Sequence, residues 1–369
     1  MPKTYLVTGG AGFIGRHLCL ELLSAGCEVR ILDALIPQVH GESPMADLPE
    51  GITFVEGDVR DAAAVRRAVS GVDGVFHLAA EVGVGQSMYE IARYVGVNDL
   101  GTAVLLEALI EEPVPRIVVA SSMSVYGEGR YVDTDGTPLA VGRRSAQAIA
   151  AADWNPAGPG GEAATPVPTD EEKPVDLASI YALTKYAQER AVLLFAEAYR
   201  REAVALRLFN VFGPGQALSN PYTGVLANFA SRIAAGEAPM VFEDGAQRRD
   251  FVHVRDVARA FRLAMEAPRA SGHVVNIGSG RSYAIADVAR MLAAAMGRDI
   301  EPDILNRARA GDIRNCFADI GKAADLLGFS PAAPLETSLL ELAAWVAGQA
   351  HVDLGPEMRR ELERHGLMS

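Results

Sequence analysis

The sequence is poor in cysteine and contains no long apolar run. The three cysteines, Cys19, Cys27 and Cys316, have a spacing that fits neither a metal site nor a disulfide framework. We therefore predict no bound metal, packing roles for these thiols and a reducing compartment. No run approaches the roughly 18 apolar residues of a membrane span, and the N-terminal MPKTYLVTGG lacks the layout of a signal peptide. These absences predict a soluble, cytoplasmic protein.

Positive charge is also scarce. The 34 Lys and Arg residues are outnumbered by 47 Asp and Glu residues, so the formal net charge is −13 at pH 7. This excess of negative charge argues against nucleic acid or an anionic membrane as a partner. Only four of the basic residues are lysines, which makes each lysine easier to assess: Lys3, Lys173, Lys185 and Lys322.

Short apolar runs alternate with helix-patterned segments through the first half of the chain. The predicted strands are 4–8, 28–33, 52–58, 74–80, 116–122 and 203–209. Because these runs are apolar on both faces, they are typical of strands buried on both sides of a parallel sheet. The pattern predicts an α/β fold: a doubly wound parallel Rossmann sheet with a smaller C-terminal α/β lobe that binds substrate.

The predicted lobes are interleaved along the chain. Residues 1–211 and 252–277 are assigned to the first lobe, and residues 212–251 and 278–369 to the second. A long insertion, 128–172, interrupts the first lobe. Its part 155–168, NPAGPGGEAATPVP, is rich in proline and glycine, and we expect it to hold no regular structure.

The motif TGGAGFIG, residues 8–15, follows the first strand and opens the first helix. Its glycines allow a tight turn, a close approach to a pyrophosphate and close packing of the helix on the strand. Asp33 closes the second strand, where its carboxylate can accept bonds from a ribose and would repel a 2′-phosphate. The motif therefore predicts NAD in preference to NADP, with contacts from Gly9, Gly12, Phe13, Ile14, Gly15 and Asp33.

Two further strand ends support a dinucleotide site. GDVRD (57–61) places Asp58 and Val59 beside the expected adenine. HLAA (77–80) ends the next strand with Leu78, Ala79 and Ala80, whose size lets the backbone approach the cofactor. His77 lies inside this apolar strand, and we expect it to be a structural histidine.

The stretch SSMSVYG (121–127) ends another buried strand, and Tyr181 and Lys185 lie four residues apart on one face of the predicted helix 179–200. A free tyrosine, with a pKa of about 10, is a poor base at neutral pH. A nearby ammonium and a positive nicotinamide ring would stabilise the phenolate and lower its pKa. The three elements together predict acid–base chemistry beside a cofactor.

With these motifs the chain resembles the extended short-chain dehydrogenase/reductases, in particular their NAD-dependent nucleotide-sugar epimerase/dehydratase branch. The motifs already quoted are followed in order by RLFNVFGPGQ (207–216), RRDFVHVRDV (248–257), VNIGSG (275–280) and GDIRNCFAD (311–319). The resemblance covers nearly the whole chain, with the insertion as the main departure.

The resemblance implies roles for individual residues. Tyr181 would be the catalytic base, Lys185 would bind the nicotinamide ribose, and Ser122 would bind the substrate hydroxyl. Asn98 matches an asparagine near the cofactor. The implied substrate-binding residues are Ser122, Met123, Ser124, Asn210, Arg249 and Arg314, of which the arginines would clamp nucleotide phosphates.

The residues after Ser122 favour one reaction. The dehydratases of this branch have an Asp-Glu pair at the positions of Met123 and Ser124, so elimination of water would lack its acid and base here. Reversible oxidation of one sugar carbon remains, and it gives an epimer if the keto sugar rotates before it is reduced. A UDP-glucuronate decarboxylase or another nucleotide-sugar oxidoreductase, an NADPH-dependent sugar reductase and a non-catalytic NAD-binding regulator are the alternatives.

The substrate is predicted to be a dTDP- or UDP-hexose. Segments 32–41 and 81–94 and the insertion resemble a bacterial subgroup that includes dTDP-L-rhamnose 4-epimerases, which makes dTDP-L-rhamnose the specific hypothesis. The resemblance also implies a homodimer formed through two helices of each subunit. The insertion could cover the sugar or extend a subunit contact.

Overall fold

The computed structural model describes residues 2–40, 48–218, 220, 222, 224–309, 312–349 and 355–368. The strands of these residues are β1 (Thr4–Thr8), β2 (Glu28–Asp33), β3 (Ile52–Glu56), β4 (Gly74–His77), β5 (Arg116–Ser122), β6 (Arg130–Val132), β7 (Pro138–Leu139), β8 (Thr165–Val167), β9 (Glu202–Leu208), β10 (Asn210–Phe212), β11 (Met240–Val241), β12 (Arg248–Arg249), β13 (Phe251–His253), β14 (Val274–Ile277), β15 (Tyr283–Ala284), β16 (Asp303–Ile304) and β17 (Asn315–Cys316).

The helices are α1 (Phe13–Ser24), α2 (Pro37–His40), α3 (Ala62–Val69), α4 (Val84–Ser87), α5 (Ile91–Tyr94), α6 (Gly101–Glu111), α7 (Ala146–Ala150), α8 (Ile180–Tyr199), α9 (Val225–Ala234), α10 (Val254–Glu266), α11 (Ile285–Ala295), α12 (Gly321–Leu327), α13 (Leu335–Ala347) and α14 (Gly355–Arg364). A π-helical turn, Val95–Leu100, joins α5 to α6, and short 3₁₀ turns span Met123–Tyr126 and Pro268–Ala270.

The central sheet has seven strands in the order β14-β9-β5-β4-β1-β2-β3, and every neighbouring pair is parallel. All seven residues of β5 are buried, as expected for a strand covered on both faces. The strand order reverses direction between β1 and β4, and a crevice opens at the carboxyl ends of strands at such a point. The predicted doubly wound α/β fold is confirmed.

Apolar layers cover both faces of this sheet. Helices α1 and α10 pack on one face, and α3, α6 and α8 lie on the other. A separate core joins α9, α11 and α13. No helix in the described part of the chain is long and apolar enough to cross a membrane.

The six predicted strands agree closely with strands of the central sheet, and one strand of that sheet was omitted. The predictions 4–8, 28–33 and 116–122 match β1, β2 and β5 residue for residue. The omitted strand is β14, a run of four residues at one edge of the sheet. All seven strands of the central sheet fall inside the ranges predicted for the first lobe, while the lobe boundaries themselves stay a prediction.

The insertion has regular structure that the sequence analysis did not expect. Strands β7, β6 and β8 form an antiparallel sheet, and β8 (Thr165–Val167) belongs to the stretch predicted to be irregular. That prediction was therefore wrong in part. Pro166 is tolerated because β8 is an edge strand of this small sheet, where a strand can lack one amide donor.

Candidate active site

The glycine turn between β1 and α1 brings the backbone of two strands close together. Gly9 has a φ of +69°, and a Cβ there would lie 2.9 Å from Ala79 Cα. Gly15 packs on the same turn, where a Cβ would lie 2.4 Å from Gly9 O. No side chain caps the N-terminus of α1 at Gly12, so its amide groups are available to a phosphate.

The carboxylate of Asp33 is held at the end of β2 by backbone amides. Its Oδ2 accepts a bond from the Ala11 amide at 3.0 Å, and its Oδ1 accepts one from the Leu35 amide at 3.0 Å. His40 Nε2 lies 3.3 Å from Oδ1. Both oxygens are therefore fixed beside the glycine turn, in the geometry that recognition of a ribose diol requires.

One cavity of about 450 Å³ lies along the carboxyl ends of the strands and is called the first cavity below. Most of the site residues predicted from the sequence line it: Gly9, Gly12, Phe13, Ile14, Gly15, Asp33, Asp58, Val59, Leu78, Ala79, Ala80, Ser122, Met123, Ser124, Tyr181, Lys185 and Asn210. Asp58 lies beyond Asp33, and the Arg60 side chain that bonds to it lowers the pKa of its carboxyl. The fold thus brings the glycine turn and the serine–tyrosine pair into one space.

Asn98, predicted to contact the cofactor, supports the wall of this cavity from behind. Its side chain accepts a bond from the Glu81 amide at 2.7 Å and donates to Thr184 Oγ1 at 2.9 Å. Asn98 is fully buried in the π-helical turn, and it is not among the residues that line the first cavity. It therefore fixes the chain after β4 to α8, the helix that carries Tyr181.

His77 is a buried structural residue, as expected. Its ring nitrogens lie 2.8 Å from Thr8 Oγ1 and 2.9 Å from Thr102 Oγ1. Burial lowers the pKa of its ring to about 3, with a smaller contribution from Lys185, so the ring is neutral.

The serines at the end of β5 have different partners. Ser122 accepts a bond from Ser124 Oγ at 2.9 Å, and it lies close enough to the phenol of Tyr181 to lower its pKa. Ser121 donates to the carboxylate of Glu189 at 2.6 Å. Ser121 therefore joins a buried ion pair with Glu189, and Ser122 is the serine beside the tyrosine.

Tyr181 and Lys185 occupy the first turns of α8, whose N-terminus is capped by Ser179. Burial raises the pKa of the Tyr181 phenol, and the bond to Ser122 lowers it in part. Burial lowers the pKa of Lys185 to about 7, while the charge of Glu189 raises it. Lys185 Nζ donates to Gln188 Oε1 at 2.7 Å. The lowered tyrosine pKa predicted from the sequence is therefore not a property of the protein by itself.

A second cavity of about 300 Å³ adjoins the first and is called the second cavity. Met123, Ser124, Asn210 and Tyr222 line both cavities. The side-chain oxygen of Asn210 is buried without a hydrogen-bond partner among the described residues. An amide in that state at the junction is available to a ligand.

The second cavity is lined by three arginines, Arg232, Arg249 and Arg309. Arg249 was predicted, and its guanidinium is oriented by the carbonyl oxygens of Arg248, Ile313 and Arg314. Arg309 lies over the ring of Phe242 and makes two bonds of 3.0 Å to Asp312. Such a set suits a diphosphate.

Arg314 does not occupy the phosphate-binding position that was predicted for it. It is buried with Glu243 at 2.9 Å and Asp244 at 2.6 Å, and it is not among the residues that line either cavity. Arg309, two residues before the motif 311–319, lines the second cavity instead. Sequence reasoning missed Arg309 because it lies outside that motif, and only packing shows which arginine of this stretch reaches the cavity.

The insertion is fixed to the wall of the second cavity. Arg144 donates to Glu243 Oε1 at 2.6 Å and to the carbonyl oxygen of Asp312 at 3.0 Å. Asp312 in turn binds Arg309, and both Glu243 and Asp312 line the cavity. Within the described residues, no group of three or more His, Cys, Asp or Glu side chains could hold a metal ion.

Comparison with known proteins agrees with this geometry. The model of the NAD dependent epimerase/dehydratase family matches residues 5–150 and 157–278. The chain belongs to that family. Its cofactor is therefore NAD, and the structure fits NAD: the uncapped start of α1 can receive the pyrophosphate and the Asp33 carboxylate the ribose. The side-chain oxygen of Gln216, which is buried and unpaired among the described residues, also lines the first cavity.

The family member from Burkholderia thailandensis named dTDP-L-rhamnose 4-epimerase is 36% identical over 351 residues, which are 94% of this chain and 95% of the relative. The solved UDP-glucose 4-epimerase of Thermotoga maritima with UDP-glucose is 31% identical and has a TM-score of 0.77, over 93% of this chain and 98% of that one. The UDP-N-acetylglucosamine 4-epimerase of Methanobrevibacter ruminantium M1, in complex with UDP-N-acetylmuramic acid, is 30% identical with a TM-score of 0.78, over 95% and 99%.

Proposed function

We propose that this protein is an NAD-dependent nucleotide-sugar 4-epimerase. One observation carries the proposal: the Ser122–Tyr181 pair lies in the first cavity beside the residues that the second, arginine-lined cavity shares with it. A nucleotide sugar whose diphosphate meets Arg232, Arg249 and Arg309 would place its sugar at this junction. Relatives named as 4-epimerases of dTDP- and UDP-sugars support the same reaction.

Residues of the protein itself transfer the proton of the sugar hydroxyl. Tyr181 accepts the proton of the sugar hydroxyl, and Ser122, which lies beside the phenol, orients that hydroxyl. NAD, when bound, supplies reversible oxidation and reduction of the sugar carbon. Lys185 lies one helical turn after Tyr181, where its ammonium favours the phenolate and can bind the nicotinamide ribose. Returning the proton from Tyr181 completes the cycle.

Epimerisation also requires the 4-keto sugar to present its other face. Met88 and Met123 line the second cavity, and their unbranched side chains can adjust to two orientations of the ring. Of the described residues that line the first cavity, the carboxylates are Asp33 and Asp58, and both follow strands on the other side of the switch point from β5. This arrangement disfavours elimination and acid-assisted decarboxylation near Ser122.

The sugar nucleotide is proposed to be a dTDP- or UDP-hexose, with dTDP-L-rhamnose as the specific hypothesis. Support comes from the dTDP-L-rhamnose 4-epimerase of B. thailandensis, which matches along nearly its full length. UDP-glucuronate decarboxylation or another oxidation stays the alternative reaction on the same site.

The test is incubation of the purified protein and catalytic NAD with dTDP-, UDP- and GDP-sugars, with products resolved by NMR. The expected result is a 4-epimer without net consumption of NAD. A pentose product from UDP-glucuronate would instead indicate decarboxylation. No product from any sugar, although NAD binds, would support a regulator and defeat the proposal.

A homodimer is proposed through α6, α8 and the turn before α6. These neighbouring elements expose large apolar side chains: Leu100, Ile110, Leu183, Leu194 and Tyr199. A second copy of the chain would cover them. Leu194→Glu should shift the molar mass in light scattering from dimer to monomer, whereas Leu340→Glu on α13 should not. An unchanged mass for Leu194→Glu would contradict the proposed interface.

A cytoplasmic location is proposed from the free thiols. Cys19, Cys27 and Cys316 form no disulfide, and burial raises the pKa of Cys19 and of Cys316 to about 12. Fractionation of the source cells tests this location.

A further inference from the structure

The C-terminal segment, residues 355–368, forms one wall of the second cavity. Gly355, Met358, Leu362 and Leu367 line that cavity. Met358 and Leu362 lie four residues apart on one face of α14 and are almost fully buried, at 7% and 2% exposure. Glu357, on the same helix, is exposed. The helix is therefore amphipathic, and its apolar face is turned towards the cavity.

One contact of this segment lies beside the catalytic helix. A Cβ on Gly85 would lie 3.1 Å from Leu362 Cδ2, so Leu362 packs directly on α4. The same short helix ends at Ser87, whose Oγ accepts the amide of Tyr181 at 3.0 Å. Leu362 is thus separated from the start of the catalytic helix by α4 alone.

Aromatic side chains hold the segment at this end. The ring of His365 stacks on Tyr89 with centroids 4.5 Å apart and planes 6° apart. Tyr89 donates to the hydroxyl of Tyr222 at 2.5 Å, and Tyr222 lines both cavities. The segment is therefore anchored to residues that border the junction.

The other contacts lie at the arginine end of the second cavity. Glu363 accepts a bond from Arg307 at 3.1 Å, and Met368 forms a β-bridge with Arg309. The segment consequently crosses the second cavity from the reacting end to the phosphate end. A substrate that fills this cavity must touch it.

One part of the wall near the reacting end is apolar, although Ser179, Asn210 and Tyr222 also line the second cavity. Met88, Met123 and Leu362 line the second cavity there, and Ser124 is already engaged with Ser122. In a hexose that reacts at C4, the substituent on C5 is attached to the neighbouring ring carbon. A hydroxymethyl or carboxylate group against thioether and leucine side chains would lose its bonds to water without replacement, whereas a methyl group would not.

We infer that the C-terminal segment belongs to the substrate site and that Leu362 selects the C5 substituent, favouring a methyl group and hence a 6-deoxyhexose. The inference rests on the proposed function, because the position of the reacting carbon follows from it. It assigns a specificity role to a helix that carries none of the catalytic or cofactor residues.

The experiment compares sugars that differ only at C6. The pairs are dTDP-6-deoxyglucose with dTDP-glucose, and dTDP-L-rhamnose with dTDP-L-mannose. Binding to the NAD-loaded protein is measured by calorimetry, and kcat/KM is measured by NMR of the products. The 6-deoxy member of at least one pair should be preferred by about 10- to 100-fold.

Three full-length variants locate the source of the preference. Leu362→Gln offers a polar group to the C5 substituent and should reduce the preference at least about tenfold. Leu362→Met keeps an apolar side chain of similar volume and should retain it. Glu357→Ala alters the exposed face of the same helix and should behave as the wild-type protein does.

The outcomes separate this inference from the proposed function. Epimerisation of both members of each pair with equal kcat/KM would overturn the inference and leave the proposed function standing. An unchanged preference in folded Leu362→Gln would also overturn it. Selective binding of the 6-deoxy sugars that Leu362→Gln abolishes, with no epimer formed from any sugar, would support the inference and overturn the proposed function.

Discussion

Ser121 Oγ lies 2.6 Å from Glu189 Oε2, while the next residue, Ser122, lies beside the phenol of Tyr181 and lowers its pKa. Glu189 also receives two bonds from the guanidinium of Arg207, at 2.9 and 2.7 Å. One hydroxyl thus belongs to a buried ion pair, and its neighbour is the one proposed to meet the reacting sugar.

The two serines should therefore respond differently to removal of the hydroxyl. Ser122→Ala should lower kcat by about 10²–10³-fold, as expected when a donor that orients the reacting oxygen is lost. Ser121→Ala should leave kcat nearly unchanged and lower the free energy of unfolding by about 1–2 kcal/mol, because Glu189 loses one buried bond. Steady-state kinetics and denaturant unfolding of both variants check this. Equal loss of kcat in both would contradict the assignment.

Lys185 should promote catalysis but lower the free energy of unfolding. Burial lowers its pKa from 10.5 to about 7, so between these values the unfolded chain binds a proton that the folded protein does not. The wild-type free energy of unfolding should therefore gain a rising contribution from this group as pH increases from about 7 to 10.5, by up to about 1.4 kcal/mol per pH unit.

Lys185→Met removes this contribution. Without NAD, the variant should be more stable than the wild-type protein by about 1–2 kcal/mol below pH 7, and the difference should shrink at higher pH. Its kcat should fall by about 10²-fold or more. Denaturant unfolding at several pH values measures the difference, and a variant that is less stable than wild type at pH 6 would contradict the prediction.

Substitution of Arg309 should weaken substrate binding, whereas substitution of Arg314 should lower the free energy of unfolding. Arg309→Ala should raise KM for the nucleotide sugar about 10–100-fold, the loss of a charge-assisted contact worth about 1.5–3 kcal/mol, with little effect on unfolding. Arg314→Ala leaves the buried Glu243 without one of its arginines and should lower the free energy of unfolding by about 3–5 kcal/mol. KM values and melting curves separate the two effects. The reverse pattern would return the phosphate role to Arg314.

The insertion should act on substrate binding through Arg144. Arg144→Ala removes the bonds to Glu243 and to the Asp312 carbonyl, so Arg309 loses its support and KM should rise about 3–10-fold at similar kcat. Arg144→Lys keeps the charge and should restore part of the affinity. Arg143→Ala is the matched control, because its exposed pair with Asp176 contributes about 0–1 kcal/mol. A rise in KM for Arg143→Ala as large as that for Arg144→Ala would refute a specific role.

Asp33 should determine the choice between NAD and NADP. Asp33→Ala should weaken NAD binding about tenfold, since one charge-assisted contact to the ribose is lost. It should also strengthen NADP binding, because the carboxylate no longer repels the 2′-phosphate. Titration of both dinucleotides by intrinsic fluorescence tests this, and an unchanged NAD/NADP ratio would sink the assignment.

The sequence by itself determined the parts of the fold and of the site that depend on the order of neighbouring residues. The run from β1 through the glycine turn into α1, the carboxylate at the end of β2 and the Tyr181–Lys185 spacing all follow from short-range patterns. The parallel order of buried strands then places their carboxyl ends together, so most of the predicted site residues line one cavity.

Only the tertiary structure decided which polar groups reach that cavity. Arg309 rather than Arg314 faces the second cavity, Asn98 supports the wall from behind, and Arg144 of the insertion holds Asp312. The C-terminal segment carries no recognisable motif, yet Leu362 packs on Gly85, far away in the chain. These facts depend on the packing of segments distant in sequence, which no local pattern of residues encodes.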